Sequence, residues 1–163
     1  MDTSIDKKDI LDFLNQHNLA VLSTVNKDGL PDAAPIYFLV ENTFDIFFIT
    51  PTKTQKNINV HLVHDVALTV VDEKNRATVQ IRGTTEEHKE VLLDVLMRLG
   101  KKIDDGSDFV RTLPFFQHKD QSKTVIRIRP TEIRMRKYSD HGMEEKQIDI
   151  DSLQSKTAGV SNN

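Results

Sequence analysis

The chain of 163 residues has no cysteine and no tryptophan, and only six glycines and five prolines. Without cysteine there are no disulfides and no thiol chemistry, and a metal would have only histidine and carboxylate ligands to draw on. The glycines are scattered (29, 83, 100, 106, 142 and 159), so they form neither a glycine-rich phosphate loop nor a nucleophile elbow. No stretch approaches the roughly 20 apolar residues of a membrane span. The opening residues, MDTSIDKKD, lack the apolar core of a signal peptide. The expectation is therefore a cytoplasmic protein with no membrane partner. Neither sign of charge is in excess. The 22 basic and 25 acidic residues leave a net charge of −3, which gives no general pull toward nucleic acid.

What is present is a globular composition, 37% hydrophobic and 29% charged. The length suits one domain with a real core. That domain is expected over residues 1–150, with a loose polar tail over 151–163.

Local patterning divides the domain further. Residues 6–17 read as an amphipathic helix capped by Asp6, with Ile10, Leu11 and Leu14 on one face. LAVLSTV (19–25) reads as a strand, NKDG as a turn, and PDAAPIYFLV (31–40) as extended chain in which Pro31 and Pro35 bar a helix interior. FDIFFIT (44–50) is a third, largely buried strand. TQKNINVHLVH (54–64) predicts a short helix with Ile58 and Leu62 four apart on its apolar side. VALTVVD (66–72) and ATVQIRGTTEEH (77–88) are a fourth and a fifth strand. The clearest helix is 89–103, with Leu92, Leu96 and Leu99 on one stripe and Gly100 near its end. Residues 104–122 read as a covering loop, 123–130 and 131–138 as two more strands, and the chain from Ser139 as a polar tail. Strands joined mostly by short turns pair antiparallel. The expected fold is mainly β with flanking helices, a small antiparallel barrel rather than a doubly wound parallel sheet.

The stretch ITPTKTQKNINV (49–60) carries the best chemical candidate. A helix start offers unpaired N–H groups and partial positive charge. Thr50, Thr52 and Thr54 add hydroxyls, Lys53 and Lys56 add ammonium groups, and Asn57 adds an amide. That set fits a bound phosphate, and it also fits a solvated, threonine-capped helix. His61 and His64 stand three apart with no third ligand in a recognisable motif, so no metal site is expected. Arg127, Arg129, Arg134 and Arg136 alternate along the last strands without interleaved aromatics, as on the wet face of an edge hairpin. No nucleic-acid partner is expected.

The ordered set LAVLSTVNKDGLPDAAPIYFLV, FDIFFITPTKTQKNINV, VALTVVD and ATVQIRGTTEEH, closed by TVIRIRPTEIRMRKY, resembles the pyridoxamine 5′-phosphate oxidase-like proteins over residues 10–138. The resemblance implies a split β-barrel, Greek-key-like and homodimeric, with FMN between two subunits. It implies that Thr50 and Lys56 hold the flavin phosphate, assisted by Lys53 and Asn57. Ala34, Pro35, Ile36 and Tyr37 would run along the isoalloxazine edge, Ile49 would lie under the ring, and Gln80 would reach its polar edge. Phe115 and Phe116 would close the site from the partner chain. Gln55, also expected among the cofactor-binding residues, stands where the oxidases carry an arginine, and Ala34 and Leu39 stand near their other basic positions. Their tryptophan-containing C-terminal segment has no counterpart. The implied function is a flavin-dependent oxidoreductase acting with a small-molecule electron donor or acceptor. The alternative is a non-catalytic module that holds FMN, haem or a deazaflavin, with His118 or His141 as candidate haem ligands.

Overall fold

In the computed structural model, residues 4–107, 109–113, 116 and 122–150 are described. Helix α1 (Lys7–Gln16) opens on a capping box: the Asp6 carboxylate accepts from Asp9 N–H and the Asp9 carboxylate accepts from Asp6 N–H, both at 2.8 Å. Strands β1 (Leu19–Val25), β2 (Pro31–Tyr37), β3 (Leu39–Val40) and β4 (Ile46–Pro51) follow. Then come α2 (Gln55–Leu62), β5 (Asp65–Asp72), β6 (Ala77–Glu87), α3 (Leu92–Ile103), a single helical turn α4 (Phe109–Thr112), β7 (Lys123–Ser139) and β8 (Gly142–Asp149).

All strand pairs are antiparallel, in the order β2-β1-β5-β6-β7-β4-β3, with β8 added on β7. The sheet splits along β7. Its first half pairs with β4 and its second half with β8, while β6 runs along both. The expected strands 123–130 and 131–138 are thus one strand of 17 residues. The expected boundary fell after Pro130. Pro130 sits opposite Gly83, where the register with β6 shifts, so its missing N–H falls at a gap in the ladder. Gly83 is required at that bulge, because a Cβ there would lie 2.5 Å from the Arg129 carbonyl oxygen. The expected polar tail from Ser139 instead begins with β8, which carries mostly exposed residues on a sheet edge.

The barrel interior is filled by alternate residues of the strands, among them Leu22, Ile36, Phe48, Leu68, Ile81 and Ile133, and is sealed by Ile10 and Leu14 of α1. A second apolar cluster lies under α3, where Val95, Leu99 and Ile103 cover Leu39, Ile49 and Val125. The stripe of α3 is therefore shifted from the expected one: Leu99 is buried, but Leu92 and Leu96 only flank the cluster. Helix α2 departs further. Its buried residues are Asn57, Asn59 and Val60, whereas Ile58 and Leu62 are exposed. Burial there is decided by which face meets β1 and β2, and the polar residues lie on it.

Candidate site at the start of helix α2

Strand β4 ends at Pro51, and Thr52–Thr54 turn the chain into α2. Thr50 is fully buried. Its Oγ1 lies 2.8 Å from Thr54 Oγ1, and the Thr54 hydroxyl donates to the Pro51 carbonyl at 3.0 Å. Thr54 holds the cap position of α2, but its hydroxyl accepts nothing from the helix. No acidic residue stands in the first turn. The contrast with α1, capped by two carboxylates, is direct. The first-turn N–H groups of α2 lack a side-chain acceptor among the described residues and carry the positive end of the helix dipole.

Lys56 stands in that turn, half-buried and without a carboxylate partner among the described residues. Burial pushes its ammonium group below the ordinary lysine pKa. Lys53 is exposed. Gln55 turns along the helix and donates to Asn59 Oδ1 at 2.8 Å. Asn57 is buried and donates to the Thr52 carbonyl at 2.9 Å, and its Oδ1 has no partner among the described residues. The arrangement concentrates N–H donors and one uncompensated ammonium group at a single point, a chemistry suited to an anion.

The other expected site residues are dispersed. Ile36 points into the barrel core, Pro35 is exposed, Ala34 is partly covered, and Tyr37 packs against the cluster beneath α3. Ile49 is 5% exposed and belongs to that same cluster, so within one chain it is a core residue rather than an open floor. Gln80 is exposed on β6, opposite Thr69 and Arg134, whereas Thr50 pairs with Thr124. Ten residues of β7 separate those two registers, about 33 Å of strand. Gln80 and Thr50 of one chain therefore do not meet. Phe116 packs on the α3 cluster of its own chain, and Phe115 lies outside the described residues. His118 also lies outside them, and His141 is exposed in the turn between β7 and β8. No group of three or more metal-ligating side chains occurs among the described residues. Of the four arginines noted in the sequence, Arg127 pairs with Glu86, Arg134 with Glu132, and Arg136 with Glu145 at 2.5 Å.

One residue escaped the sequence reading. Asn59 is fully buried and bonds to α2, β1 and β2. The cue available was its spacing of four from Gln55, a pair that meets on one helix face.

A family model described as pyridoxamine 5′-phosphate oxidase matches residues 6–137. The chain belongs to that family. Solved structures share the fold. A conserved hypothetical protein from Mycobacterium tuberculosis is 21% identical with a TM-score of 0.64, covering 82% of this chain and 86% of its own. A putative pyridoxamine 5′-phosphate oxidase from Listeria innocua is 24% identical with a TM-score of 0.61, covering 78% and 95%. A protein described as an F420 reductase is 23% identical with a TM-score of 0.62, covering 75% and 94%. No curated protein matches in sequence. These likenesses identify the architecture as the family's split barrel. Among the described residues no helix is long and apolar enough to cross a membrane.

Proposed function

We propose that this family member is a homodimeric FMN-binding oxidoreductase whose flavin phosphate sits at the start of α2. The observation that carries the reading is the uncapped first turn of α2 beside the half-buried Lys56, which has no carboxylate partner among the described residues. The residues present fit a phosphate: the N–H groups donate to its oxygens and the Lys56 ammonium neutralises its charge. Thr50 and Thr54 brace the turn by their mutual bond and keep the Thr54 hydroxyl from occupying those N–H groups. When bound, the flavin would accept a hydride and pass electrons to an acceptor. The protein's part is to hold the phosphate, to orient the ring along β2 and to limit access of water.

The distance along β7 supports a site shared by two chains, because Gln80 reaches a flavin held at Lys56 only from the partner. The outer sheet face supports the same association. Leu19, Val21 and Val71 are 50%, 46% and 60% exposed on neighbouring strands β1 and β5. Apolar side chains grouped in this way mark an interaction surface.

Titration of the purified protein with FMN, followed by flavin fluorescence and visible absorbance, tests the reading. Saturable binding with one flavin per chain is the expected result. A protein that takes up no FMN, or that prefers F420 or haem in parallel titrations, overturns it. Oxidation of NAD(P)H by the FMN-loaded protein distinguishes an enzyme from a holding module.

A further inference from the structure

Helix α2 is only eight residues long and buries one apolar side chain, Val60. A helix that short has little stability of its own. Apolar burial is also non-directional, so one valine does not fix where the helix start lies. The remaining buried contacts of α2 are polar. Asn57 Nδ2 ties the helix to the preceding turn through the Thr52 carbonyl. Asn59 is 0% exposed and uses both ends of its carboxamide. Its Nδ2 donates to Thr24 Oγ1 on β1 and to Asp32 Oδ2 on β2, each at 2.9 Å, and its Oδ1 accepts from Gln55 Nε2 at 2.8 Å. Thr24 is itself buried. Two short, directional bonds therefore join Asn59 to two strands of the barrel, and the third ties it back to Gln55 in the first turn of α2.

We propose that Asn59 is a positioning residue for the cofactor site, setting the anion-binding start of α2 against the strand that would flank the flavin ring. The inference rests on the functional reading above and adds to it. Gln55 serves Asn59 rather than the phosphate. Asp32 is the acceptor that fixes the carboxamide's orientation. The ring strand β2 and the phosphate turn are thereby held at one separation, which a ligand with a rigid ring at one end and a phosphate at the other requires.

The test compares three variants with the wild-type full chain. Asn59→Leu keeps the bulk and removes every bond; its FMN affinity is expected to fall about tenfold or more, the scale of losing buried hydrogen bonds. Asp6→Ala strips the capping box of α1 and serves as a control for general destabilisation; its FMN affinity is expected to stay at the wild-type value. Asn59→Asp is the discriminating variant. At pH 8 it sets two carboxylates against each other. At pH 5 the pair can share a proton, which restores a donor toward Asp32 Oδ2. Its affinity relative to wild type at the same pH is expected to be low at pH 8 and to recover at pH 5. Wild-type affinity in Asn59→Leu, or a ratio for Asn59→Asp that ignores pH, overturns the proposal. If the wild type itself takes no FMN, the functional reading fails separately. Asn59 is then judged by hydrogen exchange of the Ile58 and Val63 amides, which donate to the Thr54 and Asn59 carbonyls at 3.1 and 2.8 Å. Faster exchange in Asn59→Leu than in Asp6→Ala upholds its positioning role, and equal rates overturn it.

Discussion

The Lys102 ammonium group donates to the Phe38 carbonyl oxygen at 3.0 Å while lying 4.1 Å above the centre of the Phe38 ring. A second bond, to the Leu14 carbonyl at 3.2 Å, ties α3 to the end of α1 and to the break between β2 and β3. Burial pushes the Lys102 pKa down to about 8, from 10.5. The folded chain therefore binds fewer protons at this site than the unfolded chain between those two values, and stability rises with pH across that window. The two carbonyls and the ring offset part of the desolvation, so the effect is smaller than the shift alone implies. In urea titrations at pH 7.5 and pH 10, the wild type is expected to gain stability relative to Lys102→Met as pH rises. A difference that stays constant with pH removes Lys102 as the cause.

Lys56 stands at the opposite pole, an ammonium group with no carboxylate partner among the described residues. Replacing it with alanine removes one charge-assisted contact to a bound phosphate. FMN affinity is expected to weaken by about 1–3 kcal/mol, roughly fivefold to 150-fold. Thermal stability without flavin should not fall, because a partly desolvated and unpaired charge has been deleted. Isothermal titration and a melting curve read both quantities, and an unchanged dissociation constant takes Lys56 out of the site.

Gly83 allows β6 and β7 to cross closely at the bulge. A methyl group there meets the Arg129 carbonyl oxygen at 2.5 Å and Ile128 Cγ2 at 2.9 Å. One of those neighbours is backbone and cannot rotate away. Gly83→Ala is expected to cost about 1–3 kcal/mol in chemical denaturation, the range of overpacked cores. A neutral substitution would show that β7 shifts there without strain.

The outer face of β1 and β5 gives a prediction for assembly. A charge placed at Val71, which is 60% exposed, costs an isolated chain little. It would desolvate at a dimer interface and weaken it by several kcal/mol. Val71→Glu is expected to shift sedimentation toward the monomer and to reduce FMN uptake with it. A dimer that persists with full FMN uptake would move the interface elsewhere.

The element types were legible where patterning was strong. The alternation of Val79 and Ile81 with Thr78 and Gln80 marked β6 correctly, and Asp6 announced the start of α1. Reading failed where two local cues competed. Pro130 looked like a strand end, since the sequence does not reveal that the register shifts opposite it. Ile58 and Leu62 looked like the buried side of α2, since spacing identifies a helix face but not the surface it meets. β8 was missed because a strand on an edge, with six exposed residues in succession, has little alternation to display.

For the candidate site, the composition of residues 50–57 pointed to an anion before any geometry was known. Whether Thr54 would cap α2 or turn back to Pro51 was not readable, because both conformations use the same hydroxyl and the same neighbours.

The order of apolar strands, turns and the threonine–lysine stretch determined the family and the antiparallel barrel, because side-chain alternation and turn chemistry are local properties of the chain. Tertiary structure alone decided that β7 pairs with β4 along its first half and with β8 along its second, that α2 buries Asn57 and Asn59 rather than Ile58 and Leu62, and that Gln80 and Thr50 lie far apart on one chain. Each depends on contacts between residues distant in sequence, whose register is set by packing the whole barrel at once.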